Sequence, residues 1–111
     1  MKILDCTLRD GGYYTNWNFT DDLVVQYLKT VSKLPISMIE LGYLSDAKDL
    51  NGPFYHLNES IISSCRKIIN KKQKIFVMIN TKEIKDSKHL IDLIKKNNKF
   101  IDGIRFAISP L

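Results

Sequence analysis

The stretch Leu4–Gly12, which reads Leu-Asp-Cys-Thr-Leu-Arg-Asp-Gly-Gly, places two acids, an arginine and a glycine pair at the end of a short apolar run. Its apolar residues predict a buried strand, which ends where glycine allows backbone angles that other residues resist. In a continuing strand Arg9 and Asp10 would point to opposite faces, so both reach one ligand only if the chain turns. Gly11-Gly12 permits that turn. The stretch therefore indicates a site in which a guanidinium and a carboxylate act on one ligand.

The rest of the chain alternates between helical and extended patterns. Apolar stripes of helical period that follow capping residues predict helices over residues 21–34 and 58–72, and from 86 or 87 to about 94. Nearly continuous apolar runs predict further strands over residues 37–44, 74–81 and 100–108. The crossovers are long enough for right-handed parallel connections, so the order β-α-β-α-β-α-β predicts an α/β fold of about four parallel strands with crossover helices.

Charged residues interrupt two of the predicted strands. Glu40 lies inside the second strand and Arg105 inside the fourth, each between apolar neighbours. An acid in such a strand is solvated at the mouth of the sheet, paired with a cation, or catalytic. Because Glu40 lies towards the carboxyl end of its strand, we expect its side chain to face the candidate site. Arg105 either forms a salt bridge with Glu40 or Asp5, or binds an anion. We therefore expect Glu40 and Arg105 to contact substrate.

Two loops contain further candidates. Residues 13–19 are rich in aromatic and amide side chains suited to binding, although packing of Trp17 and Phe19 on the following helix is the favoured interpretation. Residues 45–57 form a long loop with turn signals, whose tip would lie over the same end of the fold as the N-terminal site. His56 lies in this loop, and a lone loop histidine is more often exposed than a ligand or a base.

Composition limits the partners that we expect. The 111 residues, of which 44% are hydrophobic, can bury one modest core. Lysine and arginine outnumber the acids 17 to 12, but they follow the polar sides of helical segments without interleaved aromatic residues, so we expect no nucleic-acid partner. No apolar run approaches the roughly 20 residues of a membrane span and no signal peptide is evident, which predicts a cytoplasmic chain. Cys6 and Cys65 match no metal or redox pattern and are expected to be buried thiols.

A resemblance to a known family rests on three parts of the sequence: Asp5, the run Thr7–Gly11 and, after one predicted helix, the run Ile39–Gly42. The chain resembles the start of the HMG-CoA lyase-like superfamily, the DRE-TIM metallolyases with a pyruvate carboxyltransferase domain. The longer run Arg9–Tyr14 is most similar to aldolase catalytic domain proteins related to 4-hydroxy-2-oxovalerate aldolase. These proteins are TIM barrels, and a complete (β/α)₈ barrel needs roughly 250 residues. The resemblance therefore implies that residues 1–111 are the N-terminal half of such a domain, a partial TIM barrel.

The resemblance also implies roles for individual residues. Asp10 would ligate a divalent cation, Mg²⁺ or Mn²⁺ and in some members Zn²⁺, that also holds a keto acid. Arg9 would stabilise the enolate left when a carbon-carbon bond beside a ketone breaks, and would not be a structural salt-bridge partner. Tyr13 stands where the aldolases have a histidine; because tyrosine is a poor base at neutral pH, it would donate a hydrogen bond or a proton. The His-x-His pair that completes the family's metal site does not occur in this sequence.

Two classes of function follow from these expectations. The first is a divalent-metal-dependent carbon-carbon lyase of the aldolase type, of which this chain is an incomplete half that is inactive alone. The second is a non-catalytic half-barrel that binds a small acid or a partner chain. In either case the open edges of the sheet predict pairing with a C-terminal half-barrel or with a second copy of the chain.

Overall fold

Four parallel strands form one sheet, and they lie side by side in the order in which they occur in the chain. The computed structural model describes residues 2–108. Its elements are β1 (Leu4–Asp5), α1 (Thr7–Thr15), α2 (Asp21–Val31), β2 (Met38–Tyr43), α3 (Glu59–Ile68), β3 (Lys74–Asn80), α4 (Ser87–Asn97) and β4 (Gly103–Ala107). The predicted α/β fold of four parallel strands with crossover helices is confirmed.

Local signals determine where α2, α3 and α4 begin. The side chains of Thr20, Asn58 and Asp86 each accept a hydrogen bond from the backbone N–H three residues further along, at 3.3, 2.9 and 2.8 Å. Each contact satisfies one of the N–H groups that a helix leaves unpaired at its start. The three predicted starts are confirmed. No helix within residues 2–108 is both long enough and apolar enough to span a bilayer.

Two helices end earlier than their periodicity predicted, α2 at Val31 and α3 at Ile68. Proline has no N–H to donate and its ring clashes with the carbonyl four residues earlier, so Pro35 prevents the helical use of the Val31 carbonyl. The N–H of Leu34 and the side-chain amide of Gln73 donate to that carbonyl instead, at 3.1 and 2.8 Å. After α3, the Arg66 guanidinium donates to the Gln73 carbonyl at 2.6 Å. Tighter turns and side-chain contacts therefore replace the last helical turns.

The two faces of the sheet have different surroundings. Alternate strand residues pack in one core with Leu28 of α2 and Ile62 of α3; these almost fully buried residues are Ile39, Leu41, Ile75, Val77 and Ile79. The strand register pairs Glu40 with Phe76, and Met78 with Arg105. Because neighbours along a strand alternate between faces, these four side chains lie on the opposite face. That face therefore carries both charges that interrupt the apolar strands.

The first strand is shorter than predicted, and a helix takes the place of the predicted turn. β1 has 2 residues, and α1 runs through Gly11-Gly12 and on through Tyr13–Thr15, the start of the predicted loop. The Asp5 carboxylate accepts hydrogen bonds from the N–H and hydroxyl of Thr7, at 3.0 and 3.3 Å. Such short-range contacts turn the backbone away from a strand. The prediction of a strand that ends at the glycines was wrong because this contact acts earlier in the chain.

Gly12 is required for close packing and not for a turn. A Cβ atom on Gly12 would lie 1.9 Å from the Trp17 indole, whereas one on Gly11 would meet only the Phe19 ring, at 3.7 Å. Trp17 is buried, as predicted, but it packs on α1, the helix that precedes it, whereas the prediction placed it on the following helix. Its indole N–H donates to the Arg9 carbonyl at 2.9 Å. The missing side chain at Gly12 therefore lets Trp17 pack directly against the helix that carries Arg9.

We expect the substitution Gly12→Ala to destabilise the chain by about 1–3 kcal/mol, because a packed region has no room for the added methyl group. Gly11→Ala is the matched control, since Gly11 lies in the same helix and its added methyl group would make only an ordinary contact with the Phe19 ring, at 3.7 Å. There the better helix propensity of alanine should stabilise the chain by about 0.5–1 kcal/mol. Urea unfolding followed by circular dichroism measures both changes. Equal stability of the two variants would contradict the packing role of Gly12.

Candidate active site

Glu40 is the centre of a charged cluster on the sheet face opposite the core. Its side chain is 0% exposed, which excludes the alternative that it is solvated at the mouth of the sheet. Carboxylate oxygen Oε1 accepts a hydrogen bond from Arg9 Nε at 2.8 Å, and Oε2 accepts one from Arg105 Nη1 at 3.1 Å. A desolvated carboxylate is costly unless opposite charges and hydrogen bonds compensate it. We call Arg9, Glu40 and Arg105 the Glu40 cluster.

Arg9 reaches the cluster from α1 and contacts two carboxylates. Its side chain is 17% exposed, and its Nη1 lies 2.5 Å from Asp10 Oδ1. Burial acts to lower the pKa of the Arg9 guanidinium, but the hydrogen bond to Glu40 and the charges of Asp10 and Glu40 outweigh it and raise that pKa. The expectation that Arg9 is not a structural salt-bridge partner was wrong. In helix α1, unlike in the predicted strand, Arg9 and Asp10 come close enough to pair.

Arg105 approaches Glu40 from β4. Its salt bridge with Glu40 is confirmed, whereas Asp5 instead accepts a hydrogen bond from the Tyr27 hydroxyl. Nη1 of Arg105 also lies 3.6 Å from Cys6 Sγ. The Arg105 side chain is 43% exposed, and its Nε and Nη2 donate to no other residue within 2–108. The salt bridge therefore leaves two donors that can bind an anion.

The two cysteines have different environments. Cys65 is buried in the core, and burial raises its pKa to about 11. Cys6 is only partly buried and stands at the start of α1, not within a strand. Burial and the charge of Glu40 raise the pKa of Cys6. The prediction of a buried thiol is confirmed for Cys65 and wrong for Cys6.

Asp10 lies at the exposed side of the cluster. Its side chain is 64% exposed, and one of its oxygens is paired with Arg9. In the part of the chain that the structure describes, no three His, Cys, Asp or Glu side chains are grouped so that they could hold a metal ion. The described residues therefore do not form a complete cation site, and Asp10 can supply one carboxylate to such a site.

Tyr13 lies on α1 and is 60% exposed, with its hydroxyl 2.8 Å from the hydroxyl of Tyr43. Tyr43 ends β2 and is buried, and its ring packs edge to face against Trp17 with 5.7 Å between ring centroids. Burial and the hydrogen bond with Tyr13 raise the pKa of Tyr43, so its phenol stays protonated at neutral pH. Tyr43 could not be identified from the sequence, where it is one more apolar residue of a predicted strand.

A second polar cluster lies where β2 and β3 end, and no sequence pattern identified it. Glu83 follows β3 and accepts hydrogen bonds from the Ser45 hydroxyl at 2.6 Å and from the Tyr55 hydroxyl at 2.5 Å. Burial and the bond to Glu83 raise the pKa of Tyr55 to about 12. The three residues are far apart in the sequence, so only the fold shows that they belong together. Their contacts fasten the loop after β2 to the end of β3.

The chain is similar in sequence to a known enzyme and in fold to a solved structure. No protein-family model matches the chain. Over 69 residues the chain is 32% identical to oxaloacetate decarboxylase of Mycobacterium tuberculosis (strain ATCC 25618 / H37Rv), a match that covers 60% of this chain and 20% of that protein. Because the matched part is so small a share of the decarboxylase, the activity of the whole protein does not transfer with it.

The fold is similar to the crystal structure of the N-terminal domain of "a putative aldolase" from Bacteroides vulgatus, with a TM-score of 0.83 and 40% sequence identity. The similarity covers 97% of this chain and 36% of that one. This chain thus spans well under two thirds of either relative. Taken together, the two similarities are consistent with an aldolase-like superfamily.

Proposed function

We propose that the chain supplies half of the active site of a divalent-metal-dependent carbon-carbon lyase of the aldolase type, which acts on a keto acid through an enolate. The observation that carries the proposal is the pair of guanidiniums held by one fully buried carboxylate, at 2.8 and 3.1 Å. The similarity to a decarboxylase and an aldolase supports it. Retro-aldol cleavage and decarboxylation of oxaloacetate both break a carbon-carbon bond and leave an enolate.

Arg9 is proposed to stabilise the enolate. Glu40 fixes its Nε, so the guanidinium is already oriented before negative charge develops on the substrate oxygen. A preoriented donor in a partly desolvated site stabilises the transition state without reorganisation at the moment of reaction. Because its raised pKa keeps Arg9 charged at any working pH, this contribution does not titrate.

Arg105 is proposed to bind the carboxylate of the keto acid. Its two remaining donors have the planar spacing that suits a carboxylate, and Glu40 holds the same guanidinium by its third nitrogen. Tyr13 is proposed to donate a hydrogen bond or a proton, with Tyr43 fixing its hydroxyl. A bound divalent cation would act as a Lewis acid on the keto oxygen, and Asp10 would be one of its ligands.

Mn²⁺ should bind the 111-residue chain only weakly, because Asp10 is the single carboxylate that the proposal gives to the cation. Asp10→Asn should abolish that binding, whereas Asp92→Asn, which removes an exposed carboxylate on α4, should leave it unchanged. Titration calorimetry of the three chains measures the difference. A tight site that survives Asp10→Asn would refute the assignment.

The partner of the sheet is proposed to be a C-terminal half-barrel or, in its absence, a second copy of the chain. β4 pairs only with β3, so the backbone groups along its other side have no strand to bond within residues 2–108. Phe106 and Ile108 expose apolar surface at this edge. An unpaired apolar edge is a template for strand addition.

The 111-residue chain should therefore sediment as a dimer or a larger species. Phe106→Lys should shift it towards monomer, because a charge on an edge strand opposes pairing. Ile91→Lys on α4 is the matched control, since Ile91 and Phe106 are 48% and 46% exposed. Sedimentation velocity measures the shift. A wild-type chain that sediments as a compact monomer and melts cooperatively would refute the proposed edge.

A turnover assay separates the lyase from the alternative, a non-catalytic half-barrel that binds a small acid or a partner chain through the same arginines. If the lyase proposal is correct, the reading frame should continue past the codon for Leu111 and encode a His-x-His pair. The protein encoded by this longer reading frame, which we call the longer product, should cleave a 4-hydroxy-2-keto acid. The 111-residue chain alone should not. Acid binding without cleavage by the longer product would favour the alternative.

A further inference from the structure

Residues 46–51, which we call the arch, project from the connection between β2 and α3. In the described part of the chain the arch forms no backbone-to-backbone hydrogen bond. Two of its side chains instead reach histidines outside it: Asp46 contacts His89 of α4, and Asp49 contacts His56 later in the same connection. These two contacts hold the arch in place together with a hydrogen bond from the Ala47 N–H to the Ser45 hydroxyl, at 3.1 Å.

The His89 contact works with a neutral imidazole. Its Nδ1 accepts a hydrogen bond from the backbone N–H of Lys85 at 3.0 Å, so the ring proton resides on Nε2. Nε2 then donates to the Asp46 carboxylate at 2.8 Å. Each ring nitrogen has the role that one neutral tautomer provides, and the contact does not depend on a second proton.

The His56 contact, in contrast, requires a charged imidazole. Nδ1 lies 3.0 Å from the carbonyl oxygen of Ser45, and Nε2 lies 2.7 Å from Asp49 Oδ1. A carbonyl and a carboxylate both accept hydrogen bonds, so both ring nitrogens have to donate. Only the imidazolium form has a proton on each nitrogen.

We propose that His56 is a pH-sensitive latch. While its ring carries two protons it holds both the Ser45 carbonyl and Asp49; when it loses one proton it loses one of these hydrogen bonds and the charge attraction to Asp49, so the arch loosens. The charged groups that face the ring are Asp49 of the arch and Glu83 after β3, both of them acidic. The uncharged Tyr55 ring packs against it at 5.3 Å between centroids. The surroundings of His56 therefore favour the cation.

The direction of the pKa changes agrees with this geometry. Burial acts to lower the pKa of His56, but the Ser45 carbonyl and the Asp49 carboxylate outweigh it and raise that pKa above its usual value. Burial acts to raise the pKa of Asp49, and its hydrogen bonds with His56 and Asn51 lower it overall. The latch is therefore closed between the lowered pKa of Asp49 and the raised pKa of His56.

The raised pKa of His56 makes the stability of the folded chain depend on pH. Because the pKa of His56 is higher in the folded chain than in the unfolded one, its contribution is fully present below the unfolded value of about 6.5 and is lost as the pH rises through the folded pKa. Loss of the contact at the acid end requires Asp49 to be protonated, below its usual pKa of about 3.9. Between these limits the contact is constant.

Release should affect the arch alone, because the chain on both sides of it is fastened independently. Ser45 is bonded to Glu83 on one side. On the other, the N–H of Gly52 donates to the Asn16 carbonyl at 2.6 Å, and the N–H of Phe54 donates to the Trp17 carbonyl at 3.2 Å. The latch therefore controls how ordered residues 46–51 are. This inference holds whether or not the chain is half of a lyase.

Imidazole ¹⁵N NMR titration of the full chain tests the latch, since the side-chain signals can be measured whether or not the chain associates. Below the midpoint of its titration both nitrogens of His56 should give the shifts of protonated nitrogens, and that midpoint should lie above the usual value of about 6.5. The ¹⁵N heteronuclear NOE of residues 46–51 should fall as the pH passes through that midpoint. Asp49→Asn should lower the pKa of His56 and remove the pH step in the NOE.

Asp46→Asn is the matched control, because it changes the other contact of the arch and leaves His56 untouched. It should keep both the pKa of His56 and the pH step. Three results would overturn the proposal: a His56 that titrates at or below its usual value of about 6.5, an arch whose NOE does not change across the His56 titration, or an Asp49→Asn variant in which His56 titrates as in the wild type.

Discussion

Replacing Glu40 with glutamine should lower the free energy of unfolding by about 3 kcal/mol, the lower part of the range for breaking a buried ion pair from one side. The side chain is 0% exposed, and both of its oxygens bind guanidiniums. Glutamine keeps the shape but removes the charge, and its amide NH₂ would face an arginine donor. The loss of stability should lie at the lower end of that range because the Arg105 side chain is partly exposed to water and Arg9 keeps its ion pair with Asp10.

Glu83→Gln is the matched control for this experiment. Glu83 also accepts two side-chain hydrogen bonds, but from the hydroxyls of Ser45 and Tyr55, which can rotate to suit an amide. Replacing Glu83 removes no partner of the two arginines, so we expect the free energy of unfolding to fall by only about 1 kcal/mol, the net value of one hydrogen bond. Urea unfolding at neutral pH measures both variants. A Glu40→Gln chain at least as stable as the Glu83→Gln chain would show that Glu40 does not hold the cluster together.

Arg9→Lys should lower kcat by about 10²–10³-fold in the longer product described above, the cost of removing one preoriented donor to a developing oxyanion. Arg9 donates to Glu40 from Nε and has further N–H groups in a fixed plane for the substrate. The single ammonium nitrogen of lysine cannot replace the hydrogen bond to Glu40 and also present a second donor in a fixed position. Lysine retains the positive charge of arginine, so substrate binding should be largely kept. The substitution should therefore lower kcat and change KM much less.

Arg66→Lys serves as the control for Arg9→Lys, since Arg66 donates to the carbonyl of Gln73 after α3 and lies outside the Glu40 cluster. It should leave kcat unchanged in the folded protein. Steady-state kinetics on the two variants measures the difference. Near-normal turnover by Arg9→Lys with an unchanged KM would contradict the proposed role of Arg9.

Some features could be predicted from the sequence because their causes are local or strongly constrained. Thr20, Asn58 and Asp86 cap their helices through contacts within one turn, so each start could be identified from the sequence. The Glu40–Arg105 pair lies 65 residues apart in the sequence, yet it could be anticipated because each charge interrupts an apolar strand and requires a partner.

Other features were missed because nothing in the local pattern encodes them. The glycine pair in the N-terminal signature indicated a turn, whereas Gly12 lies within a helix and accommodates an indole that follows it in the chain. Tyr43 had no polar signal in an apolar strand, and its partner Tyr13 lies 30 residues away. His56 has the sequence context of an ordinary loop histidine, and only the fold shows that a carbonyl and a carboxylate both face its ring.

The central claim is that Glu40 holds Arg9 and Arg105 to bind one small anion, and oxalate titration followed through the arginine ¹H–¹⁵Nε signals tests it most directly. Oxalate is a planar dianion that resembles the enolate of a keto acid. Arg9, Arg66 and Arg105 are the arginines of the chain, so each signal can be assigned by substitution. We predict that Arg9 and Arg105 shift with one common Kd while Arg66 does not move, and that chloride at equal ionic strength has no such effect. Equal shifts at all the arginines, or none at Arg9 and Arg105, would contradict the claim.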